Sequence, residues 1–183
     1  MPWSDVKLND GHKLPGVGFG SSGHPLEKTA DDINLAIECG FDHIDTAQSR
    51  FSSNTLWNPS HRRFNFKWIR SWPAVYKNEK QVGDGLKLAH LPRSDIWVTT
   101  KFSGLKTVKE SIKDSLEWLG LDHVDLYLIH NPRWSGDIKD TWREMRGVKK
   151  EGWAKSIGVS KWVPHERCFK FSWHDVTLRR CWW

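Results

Sequence analysis

Two spacings of apolar residues alternate along this chain. Over residues 25–39, Leu26, Ala30, Ile33 and Ile37 recur at helical intervals, and Gly40 follows as a stop signal. Residues 41–47, FDHIDTA, then read as a short strand. A second helical stripe, Val82, Leu86 and Ala89, lies within residues 78–91, and the β-branched and aromatic run DIWVTTKF over 95–102 predicts another strand. The third helix has the clearest pattern, with Val108, Ile112, Leu116 and Leu119 on one side and Lys109, Glu110, Lys113 and Asp114 on the other. VDLYLIHNP over 124–132 predicts a strand, residues 137–153 a polar helix turning Ile138, Trp142, Met145 and Val148 inward, and AKSIGVSKW from Ala154 a fifth strand. At the front, residues 5–18 read as a hairpin about Asn9-Asp10-Gly11 that leads into a first strand, LPGVGFG. Strands alternating with helices in this way predict an α/β fold with a parallel sheet, wound either as an open sheet or as part of a barrel.

One stretch breaks the alternation. Residues 50–75 show no periodic face, and they hold Arg50, Arg62, Arg63, Lys67 and Arg70 with no acidic residue. Residues 162–183 are similar in character, and the two segments together contain seven of the thirteen tryptophans. The net charge of +6 would ordinarily suggest an anionic partner. The two segments supply more than that whole excess, so the regular part of the chain is close to neutral and carries no such implication. No run of about 20 apolar residues is present, and the N-terminus lacks a basic-then-apolar leader pattern. The expected location is cytoplasmic. The three cysteines have neither disulfide-framework nor zinc-site spacing and are expected to be free thiols, with no metal implied.

Two sites compete for the chemistry. Gly18-Phe19-Gly20-Ser21-Ser22-Gly23 matches the G-x-G-x-x-G pattern, with Asp45 at the end of the next strand. In a dinucleotide-binding βαβ unit the third glycine opens the helix, whereas here Pro25 intervenes; the match therefore reads as a strand-to-helix turn. The second candidate is positional: Asp45, Lys101 and His130 stand at the C-terminal ends of three consecutive predicted strands, where barrel enzymes build their sites. An aspartate there would hold a lysine charged and in place. A lysine ammonium beside a phenol favours phenolate and strengthens the phenol as an acid, and a histidine can orient a carbonyl by a hydrogen bond. Of the two tyrosines, Tyr127 falls on the opposite strand face from His130, which leaves Tyr76.

With these residues in place the chain resembles the aldo-keto reductases, NADPH-dependent enzymes built on a (β/α)8 TIM barrel. The resemblance is carried by LPGVGFGS, GFDHIDTA, YKNEKQVGDGL, IWVTTKF, SLEWLGLDHVDLYLIHNP and GWAKSIGVS. It implies that Asp45, Tyr76, Lys101 and His130 take the places of the catalytic tetrad, with Tyr76 as general acid. It also implies that Gly20, Ser21, Ser22, Asp45 and Ser160 lie at the NADPH cofactor, and that the other partner is a small-molecule carbonyl rather than a nucleic acid or membrane.

The departures from the family pattern are as specific as the matches. Family members place the tyrosine five residues after the aspartate, where this chain has Arg50; removing the 26 residues 50–75 would bring Tyr76 to that spacing. Lys161 replaces the family's asparagine after Ser160, and from Trp162 the resemblance stops. About five βα units are expected, an incomplete barrel forming one partial domain over residues 1–183, with a foreign insert at 50–75 and an unrelated tail at 162–183. Both odd segments read as translated non-coding sequence, the first a retained in-frame stretch of 26 codons. An incomplete barrel predicts open strand edges and inward apolar side chains that face water. Two alternatives to reductase activity follow: a catalytically inactive reductase-like protein, or a binding module in which Arg62, Arg63, Lys67 and Arg70 with Trp68 and Trp72 contact RNA or anionic lipid.

Overall fold

The computed structural model describes residues 4–48 and 78–161. Two short strands, β1 (Val6–Lys7) and β2 (Lys13–Leu14), form an antiparallel hairpin that pairs Val6 with Leu14. Its turn runs through Gly11 at φ +92°, the backbone region in which glycine has no steric cost. The remaining elements are β3 (Phe19–Gly20), α1 (Leu26–Glu38), β4 (His43–Asp45), α2 (Glu79–Leu88), β5 (Trp97–Phe102), α3 (Val108–Leu119), β6 (Val124–Ile129), α4 (Ile138–Lys150) and β7 (Ala154–Val159).

The predicted alternation is therefore present, with shorter elements than the apolar runs suggested. The expected first strand over 14–20 is divided between the hairpin and β3. Residues Arg93–Asp95 and Pro132–Trp134 form single 3-10 turns where strand had been extended into them. The first helix ends at Cys39 as cap, with Gly40 just beyond at φ +91°. The third begins on a reciprocal cap: Thr107 accepts from the Glu110 amide while the Glu110 carboxylate accepts from the Thr107 amide.

The five strands β3 to β7 form one wholly parallel sheet in chain order. That order separates the two windings left open by the sequence. A dinucleotide-binding open sheet reverses direction at a switch point, whereas a barrel adds each strand beside the last. The sheet here never reverses, so the G-x-G-x-x-G match is a turn: Gly23 lies in the left-handed region at φ +82° and α1 starts three residues later.

Register and the two-residue pleat divide the side chains between two faces. Val98, Phe102, Tyr127, Ile129 and Ile157 point toward the helices and form the core with Ile33, Val82, Ile112 and Met145. Thr99, Lys101, Leu126, Leu128 and Ser156 point the other way, as their pairings require. Contrary to expectation, the apolar members of this inner face do not face water: Leu126 and Leu128 are 1% and 4% exposed. The hairpin accounts for part of this cover. It is tied to α4 by Lys149 and Asp10 at 2.6 Å, and His12 meets Ser156, the register partner of Leu126, at 3.3 Å.

Helix α2 packs closely because of two glycines. A Cβ on Gly83 would lie 2.5 Å from the Leu119 carbonyl oxygen, and one on Gly85 2.6 Å from that of Ala30. The glycines weaken the helix intrinsically but bring it against α1 and α3, and this close seat fixes where its first turn meets the sheet.

Candidate active site

The C-terminal ends of the strands form a rim whose backbone is held in place beyond the strands themselves. Amides continue the ladder from Ser21 to the Asp45 carbonyl (2.9 Å), Thr46 to Thr99 (2.9 Å), His130 to Phe102 (3.2 Å) and Ser160 to Ile129 (2.8 Å). Side chains projecting from these residues are therefore mounted on a rigid frame.

Asp45 and Lys101 meet on this rim. Asp45 pairs with Thr99, two residues before Lys101, and the lysine Nζ donates to the Asp45 carboxylate and, at 3.0 Å, to the Thr46 carbonyl. The lysine is 6% exposed overall and the aspartate side chain 35%, so the pair presents its acidic member to solvent while the ammonium lies beneath. Removing the aspartate would strip the buried ammonium of its carboxylate, whereas removing the lysine would leave a carboxylate that water still reaches. The same two-residue stagger carries the row onward: Lys101 pairs with Leu128, two residues before His130, and Leu128 pairs with Gly158, two before Ser160.

His130 is buried at 3% exposure and its ring meets that of Trp134 edge-on, with centroids 5.4 Å apart. Burial, followed by the nearby charges of Lys101 and Lys161, pushes its pKa down to about 3. It is thus a neutral imidazole at physiological pH, carrying one N–H and adding no charge beside Lys101. Lys161 occupies a left-handed backbone position at φ +54°, where a short polar residue such as asparagine is better accommodated.

The structure brings together Asp45, Lys101, His130 and Ser160, and places Gly20 at the end of β3 on the same rim. Among the described residues Gly20 has no heavy atom within 4 Å of where its Cβ would be, and Ser22 is exposed, so the described residues leave open space at this end of β3. Ser21 differs. Its side chain is fully buried, donating to Thr46 Oγ1 at 3.0 Å and to Asn78 Oδ1 at 3.4 Å, so its hydroxyl is already engaged within the protein. Tyr127 lies on the helix side of the sheet, fully buried, and burial holds its phenol well above the ordinary range. Tyr76 lies outside the described residues, as do Arg62, Arg63, Lys67, Arg70, Trp68 and Trp72. The sequence reading missed Thr46 and Asn78. Thr46 Oγ1 donates to Asn78 Oδ1 at 3.5 Å, and Asn78 Nδ2 donates to the Ser21 carbonyl at 2.7 Å. The available signal was an asparagine directly before a helical stripe.

Residues 16–174 match the sequence pattern of the Aldo/keto reductase family. The chain is 36% identical over 159 residues to an aldo-keto reductase of Mycobacterium sp. (strain MCS), covering 84% of this chain and 47% of the relative. It is 34% identical over 163 residues to methylglyoxal reductase DkgA of Escherichia coli (strain K12), covering 87% and 50% respectively. The fold superimposes on the crystal structure of an aldo/keto reductase from Brucella melitensis with a TM-score of 0.66, at 34% identity over 88% of this chain and 55% of that one. The Bombyx mori aldo-keto reductase solved in complex with NADP gives 0.65, at 30% identity over 87% and 50%. The chain spans about half the length of the curated relatives it matches. Among the described residues no helix is long and apolar enough to cross a membrane.

Proposed function

This chain belongs to the aldo/keto reductase family, and on that premise we propose that it reduces small aldehydes or ketones to alcohols with NADPH, using Asp45, Tyr76, Lys101 and His130. The observation that carries the reading is the Asp45–Lys101 ion pair on the strand-end rim beside a neutral His130.

NADPH, when bound, supplies hydride to the carbonyl carbon. Space for it is supported by the open position at Gly20 and the exposed Ser22 at one side of the rim, with Ser160 at the other. Ser21 contributes by shaping the loop, since its hydroxyl is engaged with Thr46 and Asn78. His130 donates its N–H to the carbonyl oxygen and orients it. Tyr76 delivers the proton to that oxygen, Lys101 favours the resulting phenolate, and Asp45 holds the ammonium in place. Tyr76 precedes the buried Asn78 by two residues, so chain geometry keeps their Cα atoms within about 7 Å. That reach supports its assignment to the same rim.

Residues 50–75 are proposed to be an excursion from this site. The Thr46–Asn78 hydrogen bond brings the chain on either side of the gap together, which is the geometry expected where a segment has been added to a short connection.

Fluorescence titration of NADPH into the chain, and into a version lacking residues 50–75, tests the proposal. Saturable binding that weakens on Lys101→Met substitution is expected. Absence of binding to both proteins would overturn it.

A further inference from the structure

Two adjacent residues at the start of α2 reach in different directions and end beside the ion pair. Asn78, 3% exposed, bonds to the Ser21 carbonyl and accepts from the Thr46 hydroxyl. Glu79, equally buried, accepts from Thr100 Oγ1 at 2.6 Å. Thr46 is the chain neighbour of Asp45, and its carbonyl receives the Lys101 ammonium; Thr100 is the chain neighbour of Lys101. Each arm therefore ends one residue from a member of the pair.

We propose that Asn78 and Glu79 form a two-point clamp that sets the geometry of the Asp45–Lys101 pair. The clamp itself is independent of the reductase reading; its consequence for turnover rests on that reading. A helix anchored only by its apolar stripe could slide or tilt on the sheet, whereas three strand ends, β3 through Ser21, β4 through Thr46 and β5 through Thr100, are tied here to one helical turn.

Glu79 Oε2 and Tyr127 Oη are both buried, without hydrogen-bond partners among the described residues. A carboxylate buried in that setting, with Thr100 and Ser115 as its hydroxyl neighbours, is still costly to ionise. Burial accordingly raises the Glu79 pKa to about 7. The ionisable groups facing it are Lys101 on β5, which favours ionisation, Asp114 on α3, which opposes it, and Tyr127 on β6. Ionisation makes Glu79 a stronger acceptor for Thr100, whose hydrogen bond works against the rise, so the Thr100 arm holds on both sides of neutral pH.

Residue-resolved hydrogen exchange on the chain and its Asn78→Ala, Glu79→Ala and Glu79→Gln variants tests the clamp, with the Thr46 and Gln48 amides as reporters. These amides bond to Thr99 and Lys101 on β5 and lie outside α2. Both alanine variants should raise their exchange about tenfold, the scale of one lost hydrogen bond. Glu79→Gln, which keeps an acceptor, should match the parent near pH 6 and be no better protected than it near pH 8. If an alanine variant does not fold, Glu79→Gln against Glu79→Met, which keeps the volume without an acceptor, decides, and only the second should raise exchange. Faster exchange confined to α2, or unchanged exchange at Thr46 and Gln48 in both alanine variants, would overturn the clamp. NADPH oxidation by the same proteins separates the two claims. No turnover by the parent counts against the reductase reading alone, while normal turnover in a variant with loosened strand ends overturns the positioning role.

Discussion

Lys101 and Asp45 stand on neighbouring parallel strands, offset by two residues in register, and the lysine ammonium bridges the Asp45 carboxylate and the Thr46 carbonyl. The bridge fixes a positive charge below the rim surface, next to a histidine that burial keeps neutral.

Lys101→Met is predicted to lower kcat by about 10²- to 10⁴-fold, the range associated with losing acid–base assistance. Folding stability should fall less than for a fully buried pair, by about 1–2 kcal/mol, because Asp45 is one-third exposed and regains water. Steady-state kinetics with urea unfolding of the same sample reads both.

Stability should respond to pH through two buried groups of opposite sign. Glu79, raised from 4.5 to about 7, keeps its proton in the folded chain while the unfolded chain loses it, so its contribution declines as pH rises across that window. His130, lowered from 6.5 to about 3, contributes stability above 6.5 that is lost as pH falls through 3. Urea midpoints from pH 4 to 8 should be nearly flat between about 4.5 and 6.5, where the two slopes cancel; Glu79→Gln should unmask the decline toward acid pH and His130→Gln the decline toward alkaline pH. Because a tenfold difference in proton affinity between folded and unfolded chain is worth about 1.4 kcal/mol, each unmasked decline should be large enough to move the midpoints.

Gly83→Ala and Gly85→Ala each place a methyl group against a neighbouring helix backbone. Overpacking of this kind costs about 1–3 kcal/mol, more than the roughly 1 kcal/mol gained in helix propensity. Both variants are predicted to melt at lower temperature than the parent, and a higher melting temperature would contradict the close seat of α2.

Deleting residues 50–75 joins Ser49 to Tyr76 and should preserve the parallel sheet, since Thr46 and Asn78 are already in contact. The helical circular dichroism of the shortened protein should match that of the parent, and its melt should be no lower. A parallel comparison of transcript with genomic DNA should find splice signals at both junctions.

The order of elements was legible because every buried helix carries an apolar stripe and every inner strand a β-branched run, as in residues 108–119 and 97–102. The row Asp45, Lys101 and His130 was legible because each residue closes a strand, and parallel strands deliver such ends to one rim. What the sequence withheld depends on packing across space. Gly83 and Gly85 look like helix weaknesses until the carbonyls of Leu119 and Ala30 are placed against them. The Ser21 hydroxyl looks unengaged in its loop until Thr46 and Asn78 close around it. Leu126 and Leu128 were expected to face water because nothing in their local pattern shows that the inner face is covered.

The central claim, a tetrad completed by Tyr76, is tested most directly by NADPH oxidation with a small aldehyde, comparing the version lacking residues 50–75 with the same protein carrying Tyr76→Phe. Turnover is predicted in the first and a loss of at least about 10²-fold in the second, with NADPH still bound. Equal rates in the two proteins would contradict it.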